Sequence, residues 1–99
     1  MNSISQGDLE LKDYKWSARA DHDDPRITHF PDNVLLNRTE GYEVISFINR
    51  FLKNVTRGGG GDWTLADVHK IERGIRIHPT DIRSHVKVRD WILANWIRL

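Results

Sequence analysis

Tyr42-Glu43-Val44-Ile45-Ser46-Phe47-Ile48-Asn49-Arg50-Phe51-Leu52, inside the stretch 38–55, decides the fold. On a helical wheel Tyr42, Val44, Ile45, Phe47, Ile48, Phe51, Leu52 and Val55 gather on one side. Glu43, Ser46, Arg50, Lys53 and Asn54 take the other. The apolar arc exceeds half the circumference, wider than the ~100° stripe of an ordinary surface helix. A helix of this kind needs more than one neighbour to cover it. The spacing therefore predicts a central helix over about 38–55, with Asn37 as its cap and Glu40 three residues later, as in a capping box.

Downstream, Arg57-Gly58-Gly59-Gly60-Gly61 ends that helix, because each glycine costs about 1 kcal/mol relative to alanine in a helix. It reads as a flexible connector. A phosphate-binding loop would need Gly-Lys-Ser/Thr after a strand, and that pattern is absent. A second helix is expected over about 64–74. Thr64 caps it, Asp67 favours its first turn, and Leu65, Val68, Ile71 and Ile75 line one face. Gly74 stands at its expected end, with Ile75 to His78 extended before Pro79. A third helix is expected over about 84–97, capped by Ser84. Val88, Trp91, Ile92, Trp96 and Leu99 form its core stripe. Val86, Leu93 and Ile97 make a second apolar stripe nearly opposite, where a terminal helix on a small monomer should be polar.

Upstream, residues 1–36 carry seven acids and four bases, and no helical period is sustained there. Leu9 and Leu11 alternate with Glu10 and Lys12 like a short strand, and Tyr14 and Trp16 follow on the other parity. Asp21-His22-Asp23-Asp24-Pro25 and Pro31-Asp32-Asn33 read as turns. The expected fold is thus mainly α: three helices around one small core. Residues 1–36 form an acidic, irregular or partly extended arm, residues 37–99 form the helical body, and one short strand pair is allowed for. If ordered, the arm would be anchored by Trp16 and Phe30. It is the simplest cover for the second stripe, with Leu9, Leu11, Tyr14 or Trp16 against Leu93.

The chain has 99 residues, enough for one small domain. Lys plus Arg number 15 and Asp plus Glu 14, for a net charge of +1, so there is no strongly basic cloak for nucleic acid and no acidic tail. The absence of cysteine excludes disulfide scaffolds, zinc ribbons and thiol catalysis. The first residues lack the pattern of a secretory leader, and no run of 18 apolar residues occurs. A soluble cytoplasmic protein is the expectation.

Candidate chemistry is sparse. Asp21, His22, Asp23, Asp24 and His29 crowd together, but Pro25 breaks the calcium-loop pattern and only two imidazoles are present for zinc. His78, Asp81 and His85 read as turn residues rather than ligands, and His69 as a boundary residue. No Gly-x-Ser-x-Gly elbow and no His-Glu-x-x-His motif exists. No catalytic residue, metal or cofactor is expected. The reading is a non-catalytic interaction module, a small regulator or adaptor that meets another protein or a second copy of itself. Its candidate interface residues are Val86, Leu93, Ile97 and Trp63, the last an aromatic of the type favoured at hot spots. A homodimer joined through like faces is the simplest form. The alternative is a nucleic-acid-binding regulator using the basic 70–89 region, with Arg73, Arg76, Arg83, Lys87 and Arg89 as contacts. Against it stand Asp81 and Asp90 on the same segment and a connection from Gly74 to Ser84 longer than that of a helix-turn-helix.

Overall fold

The computed structural model describes residues 3–16, 36–82 and 84–99. The turns expected at 21–25 and 31–33, the anchor Phe30, His22, His29 and Arg83 lie outside them. The described residues contain three α-helices, α1 (Gly41–Asn54), α2 (Leu65–Ile77) and α3 (His85–Ala94), with short 3-10 turns at Gln6–Asp8 and Trp96–Arg98. The architecture is the helical one expected.

The wide apolar arc of α1 is buried in the core as expected, but the helix that packs closely against both others is α2. Val44, Phe47, Ile48 and Phe51 are fully buried, and they meet Val68, Ile71 and Ile75 of α2 and Val88 and Ile92 of α3. Burying side chains of this size stabilises the fold by roughly 1.5–3 kcal/mol each.

The start of α1 and the end of α2 differ from their sequence expectations for local reasons. α1 starts at Gly41 instead of 38, because Asn37 Oδ1 accepts from the N–H and hydroxyl of Thr39 (3.0 and 2.7 Å) in a turn of its own. Lys15 also holds that turn open: its N–H donates to the Thr39 carbonyl and its carbonyl accepts from Gly41 N–H, both at 2.8 Å. This Lys15–Glu40 parallel bridge is all that stands, among the described residues, where a strand pair was allowed for.

α2 runs through Gly74 to Ile77. Glycine is needed there for packing, not for termination: a Cβ on Gly74 would lie 2.7 Å from Ile92 Cγ1. The helix ends at His78, whose extended ψ of 150° is the conformation that Pro79 imposes. The expected cap of α2 is present, with Thr64 Oγ1 accepting from Asp67 N–H and Asp67 accepting from Thr64 N–H. Ser84 likewise caps α3 through Lys87 N–H at 3.2 Å. α3 stops at Ala94, and Trp96 and Ile97 sit in the 3-10 turn that follows.

The arm takes a different path from the one expected. Instead of covering Leu93, residues 3–16 run along α1 and α2, and Ile4, Leu9 and Tyr14 join the core cluster. The hub of this docking is Glu72, which is only 1% exposed. Its carboxylate accepts from Glu10 N–H (2.8 Å), Leu11 N–H (3.0 Å) and the Tyr14 hydroxyl (2.6 Å). Three donors on one buried carboxylate satisfy the rule that a buried charge must be hydrogen-bonded. Burial, reinforced by the Glu72 carboxylate, pushes the Tyr14 phenol well above its ordinary value.

Candidate protein-contact surface

Trp63 enters this surface through the loop that precedes α2. Gly59, Gly60 and Gly61 all have positive φ (83°, 79° and 77°), a run that only glycine adopts freely. Arg57 locks the loop: its Nε donates to Asp67 Oδ2 at 2.9 Å and its Nη1 to the Gly60 carbonyl at 2.8 Å. Asp67 thus serves the helix cap and the loop together. Burial works against its ionisation, but the Thr64 N–H and the Arg57 guanidinium outweigh burial and hold the carboxyl below the usual range. The connector is a built turn, and its product is a fixed Trp63.

Trp63 packs edge-on against Phe51 (5.7 Å between centroids) and Trp96 (6.0 Å), while Phe51 and Trp96 stack at 6.3 Å with planes 14° apart. Lys70 Nζ sits 4.6 Å above the Trp96 ring. Trp63 and Trp96, backed by Phe51, wall a groove of about 350 Å³ whose lining also includes Thr56, Arg57, Asp67 and Leu93. Its charged groups, Arg57 and Asp67, are paired with each other, so the groove presents apolar surface without an unanswered charge. Leu93 is 44% exposed, and Ile97, next in the chain to Trp96, is 96% exposed.

Of the four candidate interface residues, the structure brings Trp63 and Leu93 into one groove and leaves Ile97 standing beside it. Val86 is separate: it is half-buried and packs on the core. Sequence spacing could not reveal Trp96 as the groove's second wall, because the residue reads equally well as core.

Three of the five candidate nucleic-acid contacts have partners within the chain. Arg73 donates to the Leu99 carbonyl (2.8 Å), Arg76 grips Asp13 with two hydrogen bonds (3.0 and 2.9 Å), and Arg89 pairs with Asp90 (2.8 Å). Lys87 is exposed. A phosphate would have to compete with these carboxylates for Arg76 and Arg89.

The histidines near the α2–α3 connection do not converge with Asp81, which is exposed. His85 is fully buried against Phe47, with ring centroids 5.9 Å apart. His78 is 2% exposed and faces Arg38, whose Nη2 lies 3.1 Å from His78 Nε2. A guanidinium only donates, so Nε2 is the acceptor and the ring is neutral. Burial first, and the Arg38 charge second, lower its pKa. The unfolded chain therefore binds a proton that the folded chain resists, and stability falls as pH drops through about 6.5. His78→Gln keeps an acceptor for Arg38 and removes the titration. Melting curves should show a smaller loss between pH 7 and pH 5 in this variant than in the wild type. An equal loss would mean that His78 carries none of the effect.

Among the described residues no three His, Asp or Glu side chains converge as metal ligands, and no helix is long and apolar enough to cross a membrane. Comparison with protein-family models, curated proteins and solved structures gives no match.

Proposed function

We propose that the chain is a non-catalytic protein-interaction module that associates with a second copy of itself through the Trp63–Leu93–Trp96 groove and Ile97. The observation that supports this reading is the pairing of an exposed aliphatic knob with an open aromatic groove on adjacent residues. A two-fold interface needs one patch that is its own complement, and a knob beside a hole meets that condition. Arg57 and Asp67, the charged residues that line the groove, neutralise each other. Tryptophan is also among the residues that carry most of the energy where such patches meet.

Sedimentation of a concentration series tests the proposal. The wild type should self-associate, and Leu93→Glu and Ile97→Glu should each weaken association at least tenfold. Their melting temperatures should stay near that of the wild type, because both side chains face solvent and such changes usually cost less than ~0.5 kcal/mol. A wild type that stays monomeric up to millimolar concentration would remove this reading.

A further inference from the structure

The helical body holds the arm as a receptor holds a peptide. The contacts run to the main chain at four places. Asn49 engages both polar groups of Ile4: its Oδ1 accepts from Ile4 N–H at 2.7 Å, and its Nδ2 donates to the Ile4 carbonyl at 3.5 Å. His69 Nε2 lies 3.1 Å from the Asp8 carbonyl. Glu72 takes the N–H groups of Glu10 and Leu11. The edge at Thr39 and Gly41 pairs with both polar groups of Lys15. Between these points Ile4, Leu9 and Tyr14, five residues apart, are buried as anchors, while Ser5, Gln6, Glu10 and Lys12 stay exposed. Main-chain hydrogen bonds for affinity, with pockets for spaced side chains for specificity, are the physics of extended-peptide recognition.

Charge adds a second, independent match. The arm brings Glu10 and Asp13 to a basic face of α2. His69 Nδ1 lies 3.2 Å from Glu10, Arg73 Nη1 lies 3.9 Å from the same carboxylate, and Arg76 forks onto Asp13. The Asp13 carboxyl is held below its usual range by that hydrogen-bonded guanidinium.

From this arrangement we infer that the α1–α2 face is a peptide-binding groove now filled by the chain's own arm, and that the arm of a second copy is an occupant it accepts by the same contacts. The groove takes an extended, acidic segment with an aliphatic residue, a second aliphatic five later and a tyrosine five later again. This surface is separate from the Trp63–Leu93–Trp96 groove and does not depend on it. The tethered arm competes with any incoming segment, so the apparent affinity for the latter is reduced by the fraction of chains whose groove is vacant.

The probe is a fluorescent peptide of residues 3–16, titrated by polarisation into full-length chains. Leu9→Asp places a charge at an anchor that is 3% exposed and weakens the tethered arm while leaving the groove intact. This variant should bind the peptide at least tenfold more tightly than the wild type. Adding Asn49→Ala should cancel most of the gain, and Leu93→Glu alone should bind as the wild type does. A folded Leu9→Asp chain that ignores the peptide, or binds it no better than the wild type, would overturn the inference. Tyr14→Phe is the milder companion, removing one hydroxyl from the arm. If both variants lose the circular-dichroism signal of the helices, the arm is an integral part of the core and the inference is equally wrong.

Discussion

Replacing Glu72 with alanine is expected to lower the free energy of unfolding by about 3–5 kcal/mol, with the arm the first element to come loose. The carboxylate is buried and accepts three hydrogen bonds from the arm. Hydrogen bonds to a charged group contribute ~1.5–3 kcal/mol each, and they do not add independently when they share one acceptor. Alanine leaves the Glu10 and Leu11 N–H groups and the Tyr14 hydroxyl to find water or remain unsatisfied. A chain of this length has only about 5–15 kcal/mol in total, so the variant should sit near the edge of folding. Urea unfolding measures the loss. A pH titration of tyrosine absorbance supplies a second readout. With Glu72 present the Tyr14 phenol titrates far above its ordinary value, chiefly from burial and then from the carboxylate. Its raised folded-state pKa means that this contribution holds below about pH 10 and fades as pH rises above it. Glu72→Ala should bring the phenol back toward the ordinary range. A stability loss below ~1 kcal/mol would show that the three hydrogen bonds are replaced by solvent without penalty.

Phe51→Ala is expected to cost a similar amount, about 3–5 kcal/mol, as large-to-small changes of a buried aromatic do. Phe51 is fully buried, and its ring touches Phe47, Trp63 and Trp96. The last two are the walls of the contact groove. Removing their common backing lets both indoles move, so the substitution should weaken self-association as well as stability. Tryptophan emission should shift to the red as these rings gain water. A loss under ~1.5 kcal/mol would indicate that neighbouring side chains collapse into the space.

Much of the helical body was legible in the residues. The broad apolar arc of α1 follows from its 3.6-residue period, and the Thr64–Asp67 and Ser84 caps follow from hydrogen-bonding chemistry that is local to a few residues. Gly74 was misleading because the same residue serves two purposes. Read alone it ends a helix, whereas in the fold it lets Ile92 approach α2. The path of the arm was hidden for a different reason. It is set largely by main-chain N–H and C=O groups, which every residue but proline carries alike, so side-chain periodicity does not report it.

One signal was nonetheless present. Glu72 stands four residues after Val68 and three before Ile75, in the middle of the apolar face of α2. A carboxylate at such a position calls for donors from elsewhere in the chain. His85, three before Val88 and seven before Ile92, lies on the core stripe of α3 by the same arithmetic. The contact groove was half legible. Leu93 and Ile97 stood out as apolar residues on the wrong side of a helix, but the orientation of Trp63 depends on the Arg57–Asp67 bond across the glycine turn. No periodicity encodes that bond.

The indole of Trp16 occupies the space that a side chain on Gly41 would need, and the Gly41 N–H is bonded to the Lys15 carbonyl. Departure of the arm would therefore strip both a ring current and a proton acceptor from one backbone amide. Glycine amides resonate in an uncrowded part of a nitrogen–proton spectrum. That single cross-peak would act as a native indicator of whether the groove is filled or vacant.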